Sequence, residues 1–266
     1  MGKTFGFIGC GNMGGALAKA VSDAGYQNDI LLADLNTERV ASLSKEICAD
    51  PSDAQPIAKE CSFIFIGVKP QMIAECFDSI RDILDTREEK PVIVSMAAGV
   101  AVSRIKELSM TDSVIRIMPN MPVSVGSGVV LATAEGVSDE KKSAFENAMS
   151  KAGIFDWLEE KFIDAASALS GCGPAFAYMF AQALSDGAVA CGLPRDKATL
   201  YAAGTLLGSA KMILESGKHP EKLKDEVCSP GGSTIMGVKA LEDEGMRGAA
   251  ISAVVAAYER TKELGK

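Results

Sequence analysis

The sequence predicts a doubly wound α/β domain followed by an all-α domain. Three observations carry this. Short apolar runs alternate with helical patterns through the first part of the chain. A glycine-rich turn joins the first apolar run to the first helix. After about Phe162 the strand patterns give way to helical ones. With 266 residues the chain has room for about two domains. The boundary is expected at 162/163, with 1–162 binding a dinucleotide and 163–266 forming the helical domain.

Thr4 to Ile8 reads as the first strand, and Ala16 to Ala24 as helix. Ile30 to Ala33 is the second strand, and Thr37 to Ile47 a helix after it. Phe63 to Val68 is a continuous apolar run, as expected of a parallel strand buried on both faces, and Pro70 closes it. Ile73 to Leu84 reads as one helix. Pro91 to Ser95, Val114 to Met118 and Val129 to Ala132 are further strands. Asp139 to Ala152 is a helix with Lys141, Lys142 and Glu146 on its wet side. Phe155 to Leu158 reads as an edge strand.

The second domain contains three stretches without a charge: Ala165 to Ser185, Ala198 to Ala210 and Gly248 to Tyr258. The first is long enough to raise the question of a membrane span. Its Ala, Gly and Ser content, with Pro174 and Gln182 inside and no basic flanks, argues against one. A lone helical domain of about a hundred residues cannot easily bury three such helices on all sides. The expectation is therefore helices shared between subunits of a homo-oligomer, rather than one tight bundle.

Composition excludes several classes. The chain is 47% hydrophobic and 23% charged, as ordinary globular chains are. A net charge of −8 with no basic stripe argues against nucleic-acid partners. The first residues lack the long apolar core of a secretory signal. The seven cysteines are odd in number and form no C-x-x-C, which argues against a disulfide framework or a zinc site and suits a cytoplasmic location. The single histidine, His219, precedes Pro220 and reads as a residue at a helix start, with no metal-ligand cluster around it.

Two segments carry chemistry. Gly9-Cys10-Gly11-Asn12-Met13-Gly14 is G-x-G-x-x-G between a strand and a helix. In that context the first glycine makes the turn, the second lets a pyrophosphate approach, and the third packs helix on strand. Asp34 ends the second strand 20 residues after Gly14, where an acid meets an adenosine ribose 2′-hydroxyl. The second segment is Ser229-Pro230-Gly231-Gly232-Ser233-Thr234, ahead of a predicted helix. A helix start presents free amides and a favourable dipole to an anion, and Ser233 and Thr234 add hydroxyls there. The other strand ends are Val68-Lys69-Pro70-Gln71, Ala97-Ala98-Gly99 and Pro119-Asn120. In a doubly wound sheet these border one crevice at the switch point.

Together these segments resemble pyrroline-5-carboxylate reductases, end to end. The resembling residues are Gly6 to Gly14, Val68 to Gln71, Met118-Pro119-Asn120-Met121-Pro122, Leu169-Ser170-Gly171-Cys172-Gly173-Pro174-Ala175-Phe176 and Ser229 to Thr234. The resemblance implies a Rossmann-type domain, a dimerisation domain that interlocks helices in a homodimer, and a ring of dimers. It implies hydride transfer from NAD(P)H to the imine carbon of pyrroline-5-carboxylate, giving L-proline, with no metal. By position, Ile8, Gly9, Cys10, Gly11, Asn12 and Met13 would hold the pyrophosphate. Val68, Lys69 and Pro70 would hold the nicotinamide-side ribose. Ala97 and Ala98, with Gly99 and Asn120, would complete the cofactor site. Gly232, Ser233 and Thr234 would take the substrate carboxylate, with the Thr234 hydroxyl on the ring nitrogen as the catalytic contact. Glu160 falls where the family places an acid near the substrate.

Three positions depart from the family pattern. Cys172 stands for a serine. Ala54 stands for an asparagine that contacts the adenosine. Leu35 stands for an arginine that grips a 2′-phosphate. With Asp34 in place and that arginine absent, the expected cofactor is NAD(P)H leaning to NADH. A hydroxyacid dehydrogenase of the same plan would need a base, usually a lysine early in the second domain, and Ser167 to Ala177 has none. A non-catalytic nicotinamide-nucleotide sensor is the alternative of a different class.

Overall fold

In the computed structural model, which describes residues 3–264, one eight-stranded sheet organises the first part of the chain. Its strands are β1 (Phe5–Ile8), β2 (Ile30–Ala33), β3 (Asp50–Pro51), β4 (Phe63–Ile66), β5 (Val92–Ser95), β6 (Val114–Pro119), β7 (Gly128–Glu135) and β8 (Gly153–Trp157). They lie in the order β3-β2-β1-β4-β5-β6-β7-β8. All neighbours are parallel except β6 and β7. The chain leaves β1 for β2 on one side and returns to β4 on the other, so the switch point lies between β1 and β4.

The first eight helices are α1 (Asn12–Val21), α2 (Thr37–Ile47), α3 (Ala54–Glu60), α4 (Ile73–Asp78), α5 (Arg81–Thr86), α6 (Val102–Ser109), α7 (Asp139–Met149) and α8 (Glu160–Ser170). They cover both faces of the sheet. One core layer joins Phe7, Leu17, Phe65 and Phe145; the other joins Ile57, Ile64, Phe77 and Ile105. Burial on both faces is why the central strands are unbroken apolar runs. Phe7 and Phe65 stack at 4.2 Å between ring centroids across neighbouring strands.

The expected helix Ile73 to Leu84 is two short helices, broken at Ser79 and Ile80. Ile80 leaves the helical conformation, with φ −125° and ψ 2°, while Phe77, Ile80 and Leu84 all stay buried. The strand Asp50–Pro51 and helices α3 and α6 had no expectation in the sequence.

The helices that follow are α9 (Gly173–Ala190), α10 (Arg195–Ser216), α11 (Pro220–Glu226), α12 (Ser233–Asp243) and α13 (Met246–Leu264). By compactness the chain divides into two units, one running to Cys172 with the chain from Ala257 on, the other Gly173–Ala256. Helix α8 thus groups with the sheet, and the expected boundary at 162/163 falls inside it. In the second unit α9 packs along α10, and Arg195 donates to the buried Ser185 hydroxyl at 3.0 Å. His219 caps α11 through Nδ1, which accepts from the Glu221 amide at 3.3 Å. No helix among the described residues is long and apolar enough to cross a membrane.

Candidate functional site

The glycine loop sits at the switch point and is held there by backbone packing. Gly9 has φ +96°, and a Cβ on it would lie 2.6 Å from the Gly67 carbonyl carbon. A Cβ on Gly14 would lie 2.1 Å from the Gly9 oxygen. These two positions admit only glycine. A Cβ on Gly11 would meet nothing within 4 Å, which leaves the loop open where a phosphate approaches. The sheet ladder runs on into the crevice: the Gly9 amide donates to Ala33 O and the Gly67 amide to Ile8 O, each at 2.8 Å.

Asp34 and Arg39 clamp the loop from either side of Cys10. The Cys10 amide donates to Asp34 Oδ2 at 2.7 Å, and the Asn36 amide to Asp34 Oδ1 at 2.9 Å. Arg39 Nε donates to Cys10 O at 2.5 Å, and its Nη2 to Asn12 Oδ1 at 2.9 Å. The Cys10 thiol is buried, and burial, with Asp34 beside it, pushes its pKa up to about 12. It is an inert packing group. Cys10 was expected to hold the pyrophosphate, but its amide is engaged by Asp34. The first amides of α1, at Asn12 and Met13, are left by the helix without intrahelical partners.

A cavity of about 570 Å³ opens beside this loop. It brings together Ile8, Gly9, Gly11, Asp34, Val68 and Lys69 of the expected residues. The sequence reading missed Asp53, Gln55, Met72 and Glu75 in the same wall. Asp53 is the N-cap of α3 and Gln55 lies in its first turn, a helix with no expectation in the sequence. Pro70 opens a single 3-10 turn beyond Lys69. Cys10, Asn12, Met13, Pro70, Ala97, Ala98, Gly99 and Asn120 do not line this cavity. Ala97 to Gly99 lie beyond β5, where Ala97 is buried, Ala98 exposed and Gly99 at φ +75°.

Two expected site residues are engaged elsewhere. Asn120 is buried, with Nδ2 donating to Ser170 O at 2.9 Å and Oδ1 accepting from the Val129 amide at 2.8 Å. Both ends of its amide are engaged and tie α8 to β7. Glu160 Oε1 accepts from the Val102 amide at 2.9 Å and from Arg116 Nη1 at 3.0 Å. Both contacts use the same oxygen, Oε1, and the side chain is half-buried.

In the second unit, α12 starts where the sequence placed it. Gly231 takes φ +69°, Gly232 is the N-cap without a side-chain cap, and the helix begins at Ser233. A Cβ on Gly232 would lie 2.4 Å from Ser229 Oγ. Ser233 and Thr234 are exposed, so this helix start presents amides and two hydroxyls to solvent.

A glycine loop at the switch point and an acid ending β2, followed in the chain by a helical unit, define an NAD(P)-dependent oxidoreductase. The comparisons agree. The family described as "NADP oxidoreductase coenzyme F420-dependent" matches residues 4–99, and "Pyrroline-5-carboxylate reductase dimerisation" matches residues 160–264. The pyrroline-5-carboxylate reductase of Pisum sativum is 38% identical over 264 residues, covering 98% of this chain and 96% of that one. A solved pyrroline-5-carboxylate reductase from Coxiella burnetii superposes with a TM-score of 0.91 at 31% identity, covering all of both chains. The Plasmodium falciparum pyrroline carboxylate reductase, solved with NADP bound, gives a TM-score of 0.84 at 28% identity over 99% of this chain and 98% of that one. The chain belongs to the pyrroline-5-carboxylate reductase family, whose members are NAD(P)H-dependent enzymes of the final step of proline biosynthesis.

Proposed function

We propose that this chain reduces 1-pyrroline-5-carboxylate to L-proline, with the residue roles set out below. The carrying observation is the pair of helix starts: the clamped glycine loop of α1 and the open Gly232–Thr234 start of α12. The glycine cradle fits a dinucleotide, because Gly9 and Gly14 admit no Cβ while Gly11 faces open space. Bound NAD(P)H supplies the hydride. The amides of Asn12 and Met13 bind the pyrophosphate. Val68, Lys69 and Pro70 hold the nicotinamide-side ribose, and Ala97 and Ala98 wall the nicotinamide. The Ser233 and Thr234 amides bind the substrate carboxylate, and the Thr234 hydroxyl orients the ring nitrogen. Reduction of a protonated imine asks for alignment and exclusion of water more than for a strong acid or base. The residue types at both sites match that demand.

The finer cofactor reading is a preference for NADH. Asp34 is fixed by two amides at the end of β2, and its remaining lone pairs accept from a ribose 2′-hydroxyl. A 2′-phosphate there meets a like charge. Leu35 is 90% exposed and offers no cation, and the Arg39 guanidinium is engaged by Cys10 O and Asn12. The assembly reading is a homodimer with interlocked helices, further arranged in a ring of dimers, in the cytoplasm. It rests on exposed apolar side chains in the second unit, such as Met179, Leu207 and Ile251, and on the free cysteines.

Steady-state assays of pyrroline-5-carboxylate with NADH and NADPH in parallel test this. Proline formation with a higher kcat/KM for NADH is expected. Dinucleotide binding without turnover would make the chain a sensor instead.

A further inference from the structure

The sheet unit contains a buried arginine that the proposed reaction does not use. Arg116 points from the middle of β6, and its side chain is 5% exposed. Nη1 meets Glu160 and Nη2 meets Asp164 Oδ1, each at 3.0 Å, while Nε has no partner. Glu160 and Asp164 are four apart on α8, a spacing at which like charges destabilise a helix. The guanidinium between them turns that repulsion into a two-point clamp.

The clamp reaches one step further. Helix α6 begins after Ala101, which has no side-chain oxygen to cap it. Glu160, 58 residues away in sequence, supplies the missing acceptor to the Val102 amide at 2.9 Å. A carboxylate at a helix start is favoured by both the free amide and the helix dipole. The five residues before Val102 are the loop 97–101. Its other end is also tied: the Ala97 amide donates to the buried Ser95 hydroxyl at 3.3 Å, and Ser95 is the strand partner of Arg116. Both ends of the loop therefore refer back to one position on β6.

We propose that Arg116 and Glu160 are positioning residues for loop 97–101, acting through the Val102 amide and not by contact with the substrate. This rests on the reading above that the loop walls the nicotinamide. Arg116 fixes the Glu160 carboxylate, Glu160 fixes the first turn of α6, and the loop inherits its place. Asp164 balances the second arm of the guanidinium and keeps it aimed.

The test uses full-length protein and two ligands, NADH and ADP-ribose, which lacks the nicotinamide. Binding is measured by titration calorimetry for wild type, Glu160→Ala, Glu160→Gln and Arg116→Met. Glu160→Ala should weaken NADH by about five- to tenfold while ADP-ribose stays within about twofold. Its kcat should fall by about ten- to a hundredfold, as for a misaligned reactant. Glu160→Gln keeps an acceptor oxygen and should retain a third or more of the wild-type kcat. Arg116→Met should follow Glu160→Ala; if it fails to fold, the Glu160 pair still decides. Equal weakening of both ligands, or of neither, would overturn the proposal. So would a Glu160→Gln variant as impaired as Glu160→Ala with a raised KM for pyrroline-5-carboxylate, because Glu160 would then act on the substrate by charge. If wild type binds NADH but does not reduce pyrroline-5-carboxylate, the proposed reaction fails while the NADH and ADP-ribose comparison still reads the loop.

Discussion

The two units solve burial in opposite ways. In the sheet unit the large side chains of every central strand are inside, among them Phe7, Ile64, Phe65 and Ile115. In the unit Gly173–Ala256, only Ser185, Ala198 and Ala202 are buried among the described residues, while Met179, Leu207 and Ile251 are more than 60% exposed. The first unit closes its core within one chain; the second leaves apolar faces that a single chain does not cover. The dimerisation family matched over 160–264 accounts for that difference. The same contrast holds for the two helix starts. The start of α1 is braced by Gly67, Asp34 and Arg39, whereas the start of α12 stands open.

The contrast can be broken most sharply at Gly9. A Cβ there meets backbone at 2.6 Å in a left-handed conformation, so Gly9→Ala should weaken NADH by about a hundredfold or more. Retention of wild-type affinity in a fluorescence titration would mean that the loop can rearrange. The open helix start should be less sensitive. Loss of one hydrogen bond to a charged group is worth about 1.5–3 kcal/mol, so Thr234→Ala should lower kcat/KM by roughly ten- to a hundredfold. If Thr234 only supports the helix, the variant will melt earlier and keep its activity per folded molecule.

Asp34→Ser comes next. It removes the charge opposing a 2′-phosphate and also one anchor of Cys10. The NADH to NADPH ratio of kcat/KM should move towards NADPH by about tenfold, as for a shift near 1.4 kcal/mol. An unchanged ratio would mean that the carboxylate serves only to brace the loop.

The smallest effect is expected at the thiols. Burial raises Cys10 and Cys61 to a pKa of about 12, from an ordinary value near 9.0. The raised value favours the neutral thiol, so the thiolate stays scarce until the pH approaches 12. Iodoacetamide at pH 8 should label the exposed Cys48 and Cys191, spare Cys10 and Cys61, and lower activity less than about twofold. Peptide mass mapping that finds Cys10 modified in active enzyme would contradict the buried loop.

What the sequence made legible follows from the same physics. Strands buried on both faces, such as Phe63–Ile66, are continuous apolar runs, and a glycine loop between strand and helix is local in sequence. The helix start at Ser233 was legible for the same reason. The break between α4 and α5 was not, because no glycine or proline lies between Ile73 and Thr86 to mark it. Strand β3 has two residues and no period to read. Ser170 lies 50 residues from Asn120, and Val102 lies 58 residues from Glu160, so these contacts are products of topology and not of any local motif. The place of α8 with the sheet follows from those two contacts.

The central claim is that hydride passes from the dinucleotide to the imine carbon of pyrroline-5-carboxylate. Turnover with NADH carrying two deuterons at the nicotinamide C4, followed by mass spectrometry of the product, tests it most directly. The expected product is L-proline carrying one deuteron, on the ring carbon that flanks nitrogen and does not bear the carboxylate. Unlabelled proline, or labelled dinucleotide bound and unconsumed, would contradict it.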